Sequence, residues 1–120
     1  MSNSMQRRTT VVTLMAAVAA SLVVVGSIHV SRGTTNSGIP ELVIAVVMAL
    51  TAFVAGRREQ WSGWALGGTG FAIAGFLIGL TFTLRANSIG DLAYHLCGLT
   101  ALVITFALAM PPRKRLAARR

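Results

Sequence analysis

Apolar residues along this chain gather into four long runs, and most of the charge sits in the short gaps between them and at the two ends. The runs cover residues 9–30, 40–56, 61–84 and 91–110. A hydrocarbon core about 30 Å thick is crossed by roughly 20 mostly apolar residues in a helix. Lipid offers the backbone no hydrogen-bond partners, so such runs are expected to be helical. Their long uncharged stretches lack the alternation of a membrane β-barrel strand. The second run is short for a span. Pro40 at its head suits a first helical position, where the missing N–H would have no partner anyway. The fourth run stops at Pro111 and Pro112, which cannot donate the bonds that continue a helix. The gaps 31–39, 57–60 and 85–90 are short, so consecutive spans must be antiparallel neighbours. The expected fold class is therefore all-α: an antiparallel four-transmembrane-helix bundle, with residues 1–120 forming one membrane domain.

The bases give the direction. Arg7, Arg8, Arg57, Arg58, Arg113, Lys114, Arg115, Arg119 and Arg120 fall on one side, and only Arg32 and Arg85 on the other. Cytoplasmic loops carry the excess of Lys and Arg, which places both termini in the cytoplasm of a multi-pass plasma-membrane protein. The net charge of +8 would suggest nucleic acid in a soluble chain, but here topology accounts for it. The tail residues Arg113, Lys114, Arg115, Arg119 and Arg120 also suit anionic lipid, and nucleic acid ranks behind that. Composition agrees: 54% hydrophobic and 12% charged exclude a disordered chain and argue against an ordinary soluble domain. Arg7 and Arg8 before an apolar run resemble a signal peptide. The run is longer than a usual h-region, however, and no clean small-x-small site follows it. Trp61 and Trp64 stand where an indole favours the membrane interface. The single cysteine, Cys97, excludes an intramolecular disulfide.

Small residues are expected to pack the bundle, because lipid supplies no hydrophobic drive between helices. The third run has two such faces. Gly63, Gly67, Gly70 and Ala74 form one, and Gly68, Ala72, Gly75 and Gly79 the other. Both contain a GxxxG pair, which serves internal packing or a homodimer seam. In the second run Glu41, Ala45, Ala49, Ala52 and Gly56 share a side; in the fourth, Asp91, Tyr94, His95, Gly98, Thr105 and Ala109 do. Both stripes are expected to face the interior. The outer gaps also resemble each other. Asn36-Ser37-Gly38-Ile39-Pro40-Glu41-Leu42 matches Asn87-Ser88-Ile89-Gly90-Asp91-Leu92, and Leu50-Thr51-Ala52-Phe53-Val54 matches Leu99-Thr100-Ala101-Leu102-Val103. A duplicated hairpin and convergent interface chemistry both explain this.

Chemically capable residues converge on the outer end: His29, Arg32, Asn36, Glu41, Arg85, Asn87, Asp91, Tyr94, His95 and Cys97. Arg32 and Arg85 end their spans while Glu41 and Asp91 begin theirs, which complements the helix macrodipoles. Cross-pairs Arg32–Asp91 and Arg85–Glu41 would tie the outer ends together. His95 lies one turn from Asp91, which could orient its imidazole; an ionisable residue within a span is a functional hypothesis by default. The first run carries a small-residue stripe of Thr13, Ala17 and Ser21; His29 lies well around the helix from it and near the helix end, and is expected to face headgroups. Two histidines at similar depth are the minimum for bis-histidine haem, but nothing in the spacing shows a cavity for it. No CxxC, HExxH or similar spacing supports zinc or copper. No cofactor and no metal are therefore expected. No nucleotide or nucleophile motif is present, and the soluble segments are too small to fold a catalytic site, so no enzyme activity is expected.

Size and span number match small multidrug transporters. That family relies on a carboxylate in its first span, and this first span has none. Fluoride-channel-like proteins share the size without a motif match. The stretch from Gly75-Phe76-Leu77-Ile78-Gly79-Leu80-Thr81 through Asp91-Leu92-Ala93-Tyr94-His95 resembles small four-span membrane proteins of unassigned function from high-GC Gram-positive bacteria. That resemblance implies a bacterial plasma-membrane protein and transfers no catalytic residue. The expected role is an accessory or assembly subunit, or a homo-oligomer, acting through helix–helix contacts. Its partners would be the lipid bilayer and either another membrane protein or further copies of itself. The alternative is a small transporter or channel whose outer vestibule is built from Arg32, Glu41, Arg85, Asp91, Tyr94 and His95.

Overall fold

The computed structural model describes residues 3–86 and 89–111. Four helices account for nearly all of them: α1 (Asn3–Ser31), α2 (Thr35–Arg57), α3 (Trp61–Ala86) and α4 (Ile89–Ala109). All four are long and apolar enough to cross a membrane. Large apolar side chains such as Val43, Val46, Leu50, Phe53, Leu96, Val103 and Ile104 point outward and exposed, the arrangement lipid contact requires. The bundle is flattened, with extents of 50 × 29 × 18 Å.

Two helix starts differ from expectation. α1 begins at Asn3, so Arg7 and Arg8 are helical. There Arg8 ties the end of α2: its Nε donates to the Ala55 carbonyl at 2.8 Å and its Nη2 to the Arg58 carbonyl at 2.9 Å. α2 begins at Thr35, which puts Pro40 inside the helix and not at its first position. The reason lies in the turn before it. Gly33 adopts φ +82°, its N–H donates to the Val30 carbonyl, and the Thr34 N–H donates to the His29 carbonyl. This is a Schellman closure, for which glycine is the favoured residue. It reverses the chain within three residues. The Thr34 carbonyl then accepts from Ser37 and Gly38, so α2 is under way before Pro40. The proline forfeits only the bond its N–H would have made to the Asn36 carbonyl.

Glycines set the helix spacing, and the two hairpins use them differently. A Cβ at Gly38 would lie 2.7 Å from the Gly26 carbonyl oxygen and 2.7 Å from Val30 Cγ2. The α1 and α2 backbones therefore nearly touch at this level. Between α3 and α4 the glycines instead receive side chains: His95 lies over Gly79 and Phe76 over Gly98. Gly68 packs on Thr51, and Gly75 on Ile44 of α2. The second glycine face of α3 is thus used inside the bundle, and of the first face Gly70 meets Phe106 of α4, 3.7 Å from a Cβ built there. Nothing lies within 4 Å of a Cβ built at Gly63 or Gly67, and Ala74 is exposed. In the α2 stripe, Ala45 and Ala52 are buried, but Ala49 and Gly56 face outward. The α2 seam runs instead through Gly38, Ile44, Ala45, Met48, Ala52 and Ala55, because it must meet α1 and α3 on adjacent sides.

The core holds Met15, Leu22, Met48 and Leu102 fully buried. The hydroxyls of Thr51, Thr69, Thr83, Thr100 and Thr105 each donate to the carbonyl four residues back, so none is left unpaired in apolar surroundings. Trp61 is buried, with the Arg7 guanidinium 5.1 Å from the centre of its ring. Only Trp64 is exposed enough to meet an interface. α1 packs against the other three helices, and α3 packs against α2 and α4, whereas α2 and α4 do not meet. The buried residues of α4 (Leu102, Thr105 and Ala109) all lie in its second half. The bundle is thus packed at the end where α1 starts. It opens between α2 and α4 at the other end, where α1 turns into α2.

Candidate functional site

The gap between α2 and α4 is a cavity of about 620 Å³. α2 contributes Asn36, Ser37, Pro40, Glu41 and Ile44; α4 contributes Asp91, Tyr94 and His95. α3 provides a wall that includes Phe76, Gly79, Phe82 and Thr83, and α1 adds His29.

His29 and Glu41 face each other across the α1–α2 crossing, with Nδ1 2.5 Å from Oε1. The close approach at Gly26 and Gly38 makes this contact, and side-chain direction completes it. Side chains lean toward the N-terminus of their own helix. In an antiparallel pair, His29 therefore leans into the bundle and Glu41 leans toward the turn. His29 does not face headgroups: its side chain is 25% exposed and that of Glu41 only 15%. The other carboxylate oxygen, Glu41 Oε2, is buried with no hydrogen-bond partner. So is the Tyr94 hydroxyl.

Opposite them stands a group of three rings. Phe76 lies 5.8 Å from Tyr94 and 5.5 Å from His95, and Tyr94 and His95 meet edge to face at 5.6 Å. The His95 ring is held at Nδ1, 2.7 Å from the Asp91 backbone carbonyl, with Thr83 Oγ1 at 3.4 Å. The carbonyl of Asp91, not its carboxylate, accepts this bond. With Nδ1–H donating, Nε2 of the neutral ring is the acceptor, and it lies over Gly79.

The structure therefore brings together His29, Asn36, Glu41, Asp91, Tyr94 and His95 from the expected cluster. It leaves out Arg32, Arg85 and Cys97, which are exposed and do not line the cavity. Glu41 pairs with His29 and not with Arg85, and no Arg32–Asp91 ion pair forms among the described residues. Asn87 and the tail residues Arg113, Lys114, Arg115, Arg119 and Arg120, with Pro112, lie outside the described residues. Sequence reading missed Phe76 and Thr83. Their signal was present: they lie three residues before and four after Gly79, on the face of α3 that the glycine opens. Among the described residues, no three of His, Cys, Asp and Glu gather closely enough to hold a metal ion. Compared with known protein families, curated proteins and solved structures, the chain matches none.

Proposed function

We propose that this is a small integral membrane protein of the transporter or channel kind, which admits a solute to the cavity between α2 and α4 and catalyses no reaction. The observation that carries this is a cavity of about 620 Å³ whose wall includes Glu41 and Tyr94, each of which has one buried polar atom, Oε2 and Oη, without a partner. Ligand pockets typically measure about 300–1,000 Å³ and place a few polar groups among apolar walls. Native interiors leave few polar atoms unpaired, and these two belong to side chains of the cavity wall. The charge bias of the gaps orients the cavity toward the outside, with the termini in the cytoplasm. The resemblance of the second hairpin favours a bacterial plasma membrane.

Cysteine accessibility tests this reading. In a Cys97→Ser background, Thr83→Cys should react with a membrane-impermeant thiol reagent added from outside, as an Arg32→Cys control does. Labelling of the control alone would remove the vestibule.

A second reading, an accessory subunit or homo-oligomer, has one observation in its favour. Gly63 and Gly67 of α3 present a pair of small residues outward with nothing against them, as a helix–helix seam would. Crosslinked dimers that vanish on Gly67→Leu would support it; unchanged monomers in both forms would not.

A further inference from the structure

We infer that the cavity takes an organic ammonium ion, a protonated amine on an apolar or aromatic body. This rests on the vestibule reading and specifies its ligand.

The first ground is charge. The cavity wall carries two carboxylates, Glu41 and Asp91, and two imidazoles, His29 and His95, with no lysine or arginine. Of the two carboxylates, Glu41 is mostly buried beside His29 and Asp91 is exposed. The sequence pattern set Arg32 and Arg85 beside this cluster, but the fold puts them outside it. An anion would find no fixed cation on the wall.

The second ground is the unpaired oxygen. His29 occupies Glu41 Oε1. Oε2 remains, buried and unpartnered. An ionised carboxylate oxygen only accepts hydrogen bonds, so a ligand bonded to it donates, and a charged N–H donor bonds to it about twice as strongly as a neutral one. The Tyr94 hydroxyl, likewise unpartnered, can accept a second N–H.

The third ground is the surrounding surface. Phe76, Tyr94 and Phe82 line the same space, and aromatic faces attract cations within about 6 Å, more so when water is excluded. A divalent metal ion would instead require several oxygen ligands at once, and no such group of side chains is assembled among the described residues. One carboxylate oxygen among rings suits an ammonium on a hydrocarbon frame.

The test uses the full chain in lipid nanodiscs and three probes of matched shape: phenethylammonium, phenethyl alcohol and phenylacetate. Calorimetric titration should show phenethylammonium binding at least about tenfold more tightly than the alcohol, with phenylacetate weakest. Glu41→Gln should weaken the ammonium by a similar factor and leave the alcohol unchanged. If that variant fails to fold, the ranking of the three probes on the unmodified chain decides alone. Equal binding of ammonium and alcohol, preference for phenylacetate, absence of binding by every probe, or indifference to Glu41→Gln would each overturn the assignment. Thr83→Cys labelling separates the two levels. If labelling persists while the ranking fails, the ligand class is wrong and the vestibule stands; if labelling is lost, the vestibule itself falls.

Discussion

Replacing Gly38 by alanine should loosen the α1–α2 hairpin, and the cost follows from what the new methyl would meet. Its carbon would lie 2.7 Å from the Gly26 carbonyl oxygen and 2.9 Å from the Val30 nitrogen, about 0.7 Å and 0.5 Å short of the 3.4 Å at which ordinary contact begins. Both neighbours are backbone, so no rotamer change relieves them, and the helices must separate. Overpacking of this kind costs about 1–3 kcal/mol. Alanine regains up to about 1 kcal/mol of helix propensity over glycine, although part of that gain is lost if the unfolded reference stays helical in the membrane. A net destabilisation of about 1–2 kcal/mol is expected. Gly67→Ala supplies the control: the same chemical change in the same kind of helix, with nothing within 4 Å. It should be neutral or stabilising by up to about 1 kcal/mol. Unfolding in mixed micelles, followed by far-UV circular dichroism and indole fluorescence, measures both variants. Gly38→Ala should also weaken phenethylammonium binding, because separating α1 from α2 stretches the His29–Glu41 contact. Equal stability of Gly38→Ala and the parent, with Gly67→Ala destabilised, would refute the close crossing.

Gly33→Ala should cost about 1 kcal/mol in thermal unfolding, since the open space around it leaves only the left-handed φ of +82° to penalise a side chain; Gly33→Asn should recover part of that. Arg8→Ala removes the bonds to the Ala55 and Arg58 carbonyls and should cost about 1–2 kcal/mol. Arg8→Lys, unable to span both carbonyls, should recover less than half in the same unfolding assay. His29→Ala leaves both oxygens of Glu41 without a protein partner and should cost about 1–3 kcal/mol. His29→Gln, which can donate an amide N–H, should restore most of that stability, and equal losses in the two variants would show that the contact with Glu41 is not what His29 supplies.

The helices were legible because their signal is additive. Some twenty apolar residues must agree before a span is read, so no single side chain misleads, and the starts of α3 and α4 fell within two residues of expectation. The start of α2 was misread because Pro40 was taken as a beginning, although Gly33 and Thr34 had already closed α1 and opened the next helix. The site was less legible because it depends on facing, which periodicity fixes only within one helix. His95, Tyr94 and Asp91 share a face of α4 and all line the cavity, but Asp91, expected to face the interior, is exposed. His29 was assigned outward because its angle was measured against the Thr13/Ala17/Ser21 stripe. The buried stripe of α1 is in fact Val11, Met15, Ala19, Leu22 and Gly26. Those residues are larger and more apolar than the stripe expected to pack, and they are chosen by α2, α3 and α4, not by α1 itself.

The fate of the arginines shows why a pattern of charge along a chain differs from a pattern of charge in a cavity. Arg32 and Arg85 stand within a few residues of Glu41 and Asp91 in the sequence or across a turn, and simple proximity would neutralise the cluster. A helix separates residues by direction as well as by distance. Arg32 lies beyond the last helical residue of α1 and is exposed, while His29, three positions earlier, is turned inward by the Gly26–Gly38 approach. Arg85, near the end of α3, is likewise exposed, two residues after Thr83 on the cavity wall. Long basic side chains can extend into the polar boundary of a membrane while their stems stay apolar; a carboxylate on a short stem cannot. The same helix ends therefore keep Arg32 and Arg85 off the cavity wall while Glu41 and Asp91 line it, in a chain whose net charge is +8.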